Sequence, residues 1–359
     1  MTDLAIQSEA SLPQEKLARQ LASVLQTYLR KNQVEKVLKA YHFGAQAHSG
    51  QVRLSGEAYI CHPLSVALIL AEMRLDANAI TAAILHDVIE DTDVSKGSIS
   101  GEFGEVVADL VDGVSKLTQL DSRSRAEAQA ENVRKMFLAM ARDLRVIIVK
   151  LADRVHNMRT LGVMPSDKKR RIARETLEIY VPLANRLGMN NIRIELSELA
   201  FQAMYPLRHR VIDKAVRNAR GQRKEVVGKI EATIKKRLDE SNLKCEVFGR
   251  EKNLYSIYQK MVDKNISLSE IFDVYAYRLV VEKPDDGYRA LGVMHSLYKP
   301  VPGRFKDYIA LPKENGYQSL HTVLVGPYGL FLEMQIRTRE MHRMAESGSS
   351  TRMNPAFCR

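Results

Sequence analysis

Ile80 to Asp91 reads ITAAILHDVIED. Alanine, leucine and isoleucine favour a buried helix here. An adjacent pair, His86 and Asp87, nevertheless sits inside the apolar run, and Glu90 and Asp91 follow within one turn. A histidine and three acids do not enter an apolar environment unless something compensates their charge. A divalent cation does so, provided that the rest of the chain brings further ligands.

Two other apolar helical stretches carry such intruders. His62-Pro63 opens a helix that runs to Met73, with Pro63 in the first turn, where a missing N–H is harmless. Val146 to Arg159 (VIIVKLADRVHNMR) holds Asp153, with Asn157 four residues on and on the same face. Two histidines (His62, His86) and two carboxylates (Asp87, Asp153) suit manganese, iron or zinc. Glu90 shares the face of His86 and Asp87, where it can position or deprotonate an attacking water. The plainer alternative is that each is a satisfied core or surface residue. Around these stretches, residues 14–48 form two helices, and Ser49 to Tyr59 is a polar loop that carries Arg53. Helices are also expected over Phe103–Val111, Glu127–Met140, Asp167–Leu187 and Ile192–Tyr205. No strand pattern appears before residue 205, so residues 1–205 read as an all-α domain.

The chain has 359 residues, which predicts two domains. Its 45% apolar and 27% charged content is that of a globular protein. It has no apolar run long enough for a membrane span, and its N-terminus lacks the pattern of a signal peptide. The three cysteines, Cys61, Cys245 and Cys358, form no CxxC. That predicts a reducing cytoplasm and argues against structural zinc. The net charge of +11 favours polyanionic partners without choosing among nucleotides, nucleic acids and anionic surfaces.

Residues 206–240 are rich in Lys and Arg and carry a valine–isoleucine stripe. They read as one or two long helices, with breaks allowed at Gly221 and Gly228. Such a junction is either a solvated face or a basic surface for RNA. From Ser241 the pattern changes. CEVFGR is a strand, NLYSIYQKMVDK a helix, IFDVYAYRLVVE a strand and DDGYRALGVMHSLY a helix. DYIALP, QSLHTVLV and FLEMQIR are strands separated by PGR, ENG and GPYG turns. An α/β domain over 241–348 follows, with neither a P-loop nor a dinucleotide fingerprint. Asp273 and Glu333 intrude on its strands, and Arg250, Lys252, Arg304, Lys306 and Lys313 surround them. Paired carboxylates in a basic setting suit Mg2+ and a nucleoside triphosphate, or they are solubility charges on edge strands.

The words around the intruding residues are more specific. QVRLSGEAYICHP, ILHDVIEDTD and VKLADRVHNMRTL resemble the hydrolase domain of the RelA/SpoT family of alarmone enzymes, within the HD superfamily of metal phosphohydrolases. GREKNLYSIYQKM, IFDVYAYRLV, PGRFKDYIALPKENGYQSLHTV and LEMQIRT resemble the same family's synthetase domain. The resemblance implies an all-α HD-type hydrolase domain (1–205), a helical junction (206–240) and a nucleotidyltransferase-like α/β synthetase domain (241–348). It covers about residues 15–348, and 349–359 (SSTRMNPAFCR) are expected to be a non-native tail.

By position, the resemblance implies Mn2+ on His62, His86, Asp87 and Asp153, with Glu90 and Asp91 orienting the water. Arg53 would meet the substrate's pyrophosphate and Asn157 its nucleoside. In the second half it implies Mg2+ on Asp273 and Glu333, with Glu333 also activating the acceptor's 3′-hydroxyl. Arg250, Lys252, Arg304 and Lys306 would hold the phosphates of ATP. Tyr317 would stack on the guanine of GDP or GTP, with Lys313, Asn315 and His321 nearby. The RFKD word (Arg304 to Asp307), basic at Arg304 and Lys306, marks the bifunctional form in that family. The implied activities, those of the stringent response, are hydrolysis of ppGpp and pppGpp and their synthesis from ATP with GDP or GTP. The alternative is a hydrolase whose synthetase domain is weak or silent and regulates. Contacts with ribosomes or carrier proteins would need a C-terminal half beyond this sequence.

Overall fold

The computed structural model describes residues 12–118, 134, 138, 142–250, 253–265, 267 and 274–348. It forms two compact units that divide after Pro165. The expected helix Glu127–Met140 falls largely outside the described residues, as does the tail 349–359.

The first unit is helical: α1 (Pro13–Leu25), α2 (Lys31–Ala47), α3 (Cys61–Glu72), α4 (Ala77–Leu85), α5 (Val88–Asp91), α6 (Lys96–Phe103), α7 (Glu105–Thr118) and α8 (Leu144–Arg159). Leu21, Leu25, Leu64, Leu70, Ile80, Ile84, Ile147 and Ile148 are buried in it. The helix expected over Phe103–Val111 divides at Gly104, whose φ of +91° an L side chain resists. The opening stretch also departs from a single helix. α4 ends at Leu85, His86 and Asp87 form a turn, and α5 starts at Val88. Asp87 has φ −95° and ψ −7°, off the α-helical minimum. In a regular helix, consecutive residues point about 100° apart. The turn lets His86 and Asp87 serve one site.

α4 and α8 start side by side. Asp76 caps α4, its Oδ1 accepting from Asn78 N at 2.9 Å and Ala79 N at 3.2 Å, and Asp143 caps α8 by accepting from Arg145 N at 2.8 Å. Arg145 ties the two caps together, with Nη1 3.2 Å from Asp76 Oδ1 and Nη2 2.6 Å from Asp143 Oδ2. His86 follows Asp76, and Asp153 follows Asp143, by the same number of residues. At about 1.5 Å of rise per residue, both side chains therefore reach the same level.

The second unit begins with α9 (Ser166–Glu175), a π-turn (Thr176–Tyr180), α10 (Val181–Arg186), α11 (Asn190–Met204) and α12 (Pro206–Glu240). The expected helix Asp167–Leu187 is thus interrupted. Pro182 offers no N–H to the preceding turn and crowds its carbonyl, and the ladder widens there. Residues 206–240 form one helix without a break at Gly221 or Gly228. Because Phe201 shares a cluster with Ile212, Val216 and Ile257, α9 to α11 pack within this unit, and the compact units divide earlier than residue 205.

The sheet comprises β1 (Cys245–Arg250), β2 (Val274–Val281), β3 (Lys299–Pro300), β4 (Lys306–Asp307), β5 (Leu320–Val325) and β6 (Phe331–Thr338), in the order β1-β2-β6-β5-β3 with β4 beside β5. The β2–β6 pair is parallel and the others antiparallel. Helices α13 (Leu254–Lys264), α14 (Pro284–Leu297) and α15 (Arg339–Ser347) complete the unit. Leu332, Met334 and Ile336 of β6 pack with Ile230 and Ile234 of α12 and Met294 of α14. Strand alternation sends Glu333, Gln335 and Arg337 to the other face. Of the expected strand DYIALP only Asp307 is extended, together with Lys306 in β4, because Asp307 Oδ1 accepts from Ile309 N and Ala310 N, each at 2.9 Å, and turns the chain.

Candidate functional site

In the first unit, α3, the α4–α5 turn and α8 bring His62, His86, Asp87 and Asp153 together. One donor atom each of His62, His86 and Asp87 lie within 4.8 Å of one another. His62 Nε2 is 3.2 Å from Asp153 Oδ1 and 3.7 Å from Asp87 Oδ2. His86 Nε2 is 3.1 Å from Asp87 Oδ1 and 3.9 Å from Asp153 Oδ1. Both imidazoles are buried. His86 Nδ1 lies 2.8 Å from the Ala83 carbonyl, which only accepts, so that nitrogen carries the hydrogen. His86 Nε2 then presents a lone pair, and it is buried with no hydrogen-bond partner.

Lone pairs and carboxylate oxygens at such separations need positive charge between them. Protons on both imidazoles would place two cations with ring centres 5.3 Å apart, and burial pushes His62 toward its neutral form. One divalent cation satisfies all the contacts together, so the residues fit such an ion.

The surroundings hold these groups in place. Burial pushes the Asp153 carboxyl up, but the Lys150 ammonium beside it outweighs this and holds it well below the usual carboxylate range. Lys150 Nζ donates to Asp153 Oδ2 at 2.8 Å, and Asn157 Nδ2 donates to Oδ1 at 2.6 Å. The Tyr59 hydroxyl lies 3.0 Å from Asp87 Oδ2 and 2.7 Å from Asp91 Oδ2, so its single proton serves one or the other. Gln51 Nε2 donates to the Asp91 carbonyl at 2.9 Å. Arg53 Nη2 donates to Asn157 Oδ1 at 2.9 Å, and its Nη1 lies 3.3 Å from His156 Nδ1. Burial first, then His62 and Arg53, bring His156 down to about 3. Glu90 is half-buried on α5 and Asp91 is exposed at its end. Tyr59, Lys150 and His156 escaped the sequence reading. The available signal was spacing: His156 is three residues after Asp153, and Tyr59 three before His62.

In the second unit, the polar face of the sheet carries one row across four strands: Arg278, Gln335, His321 and Lys306. Glu333 lies one row along, paired with Ala276 and Val323. Lys313, Asn315, Tyr317 and His321 gather around a cavity of about 210 Å3 that Arg278, Gln335 and Arg337 also line. The Tyr317 hydroxyl lies 2.8 Å from His321 Nε2, and Lys313 Nζ is 5.3 Å from the centre of the Tyr317 ring and 4.7 Å from that of Tyr308. Asn315 Oδ1 accepts from Tyr317 N at 3.2 Å, and its Nδ2 donates to the Asn185 carbonyl at 3.3 Å. Arg304 and Lys306 are exposed and, like Glu333, do not line the cavity. Lys252, Asp273 and the side chain of Arg250 lie outside the described residues. Tyr308, Gln335 and Arg337 escaped the sequence reading because a polar residue on an alternating strand is unremarked there. Among the described residues no helix is long and apolar enough to cross a membrane.

Two family regions match the chain, and the first of them runs past the division after Pro165. An HD domain matches residues 40–190, and the region found in RelA and SpoT proteins matches residues 249–354. The chain is 58% identical over 328 residues to a guanosine-3′,5′-bis(diphosphate) 3′-pyrophosphohydrolase of Vibrio cholerae, covering 91% of this chain and 46% of the relative. It is 57% identical over 332 residues to the bifunctional (p)ppGpp synthase/hydrolase SpoT of Escherichia coli, covering 92% and 47%. A GTP pyrophosphokinase of Myxococcus xanthus is 48% identical over 315 residues, covering 87% and 42%. The chain thus spans about half the length of the curated relatives it matches. With an HD domain carrying a converged His–His–Asp–Asp set and a RelA/SpoT region carrying a mixed sheet, the chain belongs to the RelA/SpoT family.

Proposed function

We propose that the first unit hydrolyses ppGpp and pppGpp to GDP or GTP and pyrophosphate, and that the second transfers pyrophosphate from ATP to the 3′-hydroxyl of GDP or GTP, releasing AMP. The observation that carries the reading is the buried, partnerless Nε2 of His86, aimed among two carboxylates and a second imidazole. His62, His86, Asp87 and Asp153 would hold Mn2+. Bound there, the ion would polarise the scissile phosphoryl and acidify the attacking water. Glu90 and Asp91, the latter anchored by Tyr59, orient that water and accept its proton. Arg53 is steadied by Asn157 and offers its planar fork to the pyrophosphate, while Asn157 meets the nucleoside. Water oxygen bonds to phosphorus, the bond from phosphorus to the 3′-oxygen breaks, and that oxygen leaves with a proton.

In the second unit, Tyr317 stacks on guanine, and Lys313, Asn315 and His321 surround the acceptor; the cavity they line supports this. Arg250, Lys252, Arg304 and Lys306 hold the phosphates of ATP. Asp273 and Glu333 would take Mg2+, and Glu333 draws the proton from the 3′-hydroxyl. The free thiols of Cys61 and Cys245 suit the reducing cytoplasm.

The test is to incubate the chain with ppGpp and Mn2+, and separately with ATP, GDP and Mg2+, and to separate the products by anion exchange. GDP with pyrophosphate is expected from the first mixture, and ppGpp with AMP from the second. Turnover in neither overturns the proposal, and turnover in the first alone leaves a hydrolase with a silent second unit.

A further inference from the structure

We propose that His156 is a positioning residue: its Nδ1 accepts from His62 and Arg53 together, and this shared acceptor fixes the His62 tautomer that aims a lone pair at the cation site. The inference rests on the metal reading of that site.

A guanidinium has five N–H donors and no acceptor. Arg53 Nη1 lies 3.3 Å from His156 Nδ1, so that ring nitrogen presents its lone pair. His62 Nδ1 lies 2.8 Å from the same atom. Two ring nitrogens this close are not both lone pairs, and His156 Nδ1 is one, so His62 Nδ1 carries the hydrogen. A neutral imidazole has a single N–H. His62 Nε2 is therefore the lone pair, 3.2 Å from Asp153 Oδ1 and 3.7 Å from Asp87 Oδ2. These assignments follow from partners, as hydrogen positions do in general.

His62 and His86 thereby reach the same state by different routes. For His86 the acceptor is the Ala83 carbonyl, a backbone atom that side-chain substitution leaves in place. For His62 the acceptor is a side chain, and the dependence is open to test. The arrangement is compact because Asp153 and His156 lie three residues apart on α8. One turn of one helix supplies an expected ligand and the group that orients another. The same nitrogen also receives Arg53, the expected substrate arm, which links substrate capture to the ligand set through one atom.

Two substitutions separate hydrogen bonding from packing. His156→Gln retains an acceptor oxygen, and His156→Leu retains bulk without one. Mn2+ binding to the metal-stripped 359-residue chain is measured by titration calorimetry, and the His62 tautomer by 15N NMR of the metal-free chain. The native chain is expected to show His62 protonated at Nδ1. The Leu variant is expected to bind Mn2+ about 10–100-fold more weakly, the usual effect of losing an outer partner of a ligand, and to show mixed His62 tautomers. The Gln variant is expected to stay near the native affinity. A native His62 protonated at Nε2 overturns the proposal without recourse to any variant. So does a folded Leu variant with native affinity, or a Gln variant as weak as Leu, which would make the role of His156 one of packing. A native chain that takes up no divalent ion overturns the metal reading itself, while the tautomer measurement still decides the part of His156.

Discussion

Asp153 receives Lys150 on one oxygen and Asn157 on the other, deep in the first unit. Breaking a buried pair by removing one partner leaves the other charge uncompensated. Asp153→Ala is expected to abolish ppGpp hydrolysis and to destabilise the metal-free chain by about 3–5 kcal/mol in urea unfolding. The paired change Lys150→Met with Asp153→Leu is expected to restore most of that stability and none of the hydrolysis. Recovery of hydrolysis would remove Asp153 from the ligand set. In the second unit, stacking on Tyr317 is worth roughly 1–3 kcal/mol. Tyr317→Ala is expected to weaken GDP binding by about 10–100-fold on that scale, and Tyr317→Phe, which loses only the contact with His321, much less. Equal losses in calorimetry would assign the effect to the hydroxyl. His62, His86, Asp87 and Asp153 were legible in the sequence because a charged or polar residue in an apolar helix breaks its pattern. Tyr59, Lys150 and His156 flank apolar faces, where polar residues are ordinary, and only their contacts reveal them.

At the scale of elements, the site depends on the fit of α7 against α8. A Cβ added at Gly113 of α7 would meet Val146 Cγ2 at 2.9 Å. Valine is β-branched and has little rotamer freedom with which to move aside. Gly113→Ala gains helix propensity, yet overpacking costs about 1–3 kcal/mol, and net destabilisation is expected in thermal unfolding. Adding Val146→Ala should relieve it. A stabilised single variant would show that α8 shifts freely. The turn at His86 and Asp87 follows a similar logic. Composition marked the stretch as helix, but a continuous helix would aim the two residues apart, and the demand for convergence overrides propensity.

For the whole molecule, each unit has its own core. The sheet's core includes Ile230, Ile234 and Leu238 of α12. A fragment that starts at Ser166 is expected to unfold cooperatively, whereas one that starts at Ser241 exposes those partners and is expected to bind ANS and lose its sharp transition. A sharp transition in the shorter fragment would show that α12 is dispensable. Asp87→Ala is expected to abolish hydrolysis and spare synthesis, measured in the two assays above. Loss of both would mean that the units do not act independently. Hydrolysis and synthesis oppose each other, so their full rates are not expected together in one mixture containing both sets of substrates.

The two-part organisation, the helical first half, the α/β character of the second and the expected ligands of the first are readable from the sequence alone. Periodicity and intruding charge are local properties, and local properties are written in the chain. Only the folded chain shows where helices yield to turns, that α9 to α11 belong to the second unit, and that His156 and Tyr59 stand beside the expected ligands. These depend on distances between residues far apart in sequence. For ITAAILHDVIED the difference is concrete: the sequence gives its residues and their expected task, and the packing of α3, α4 and α8 gives the direction in which each lone pair points.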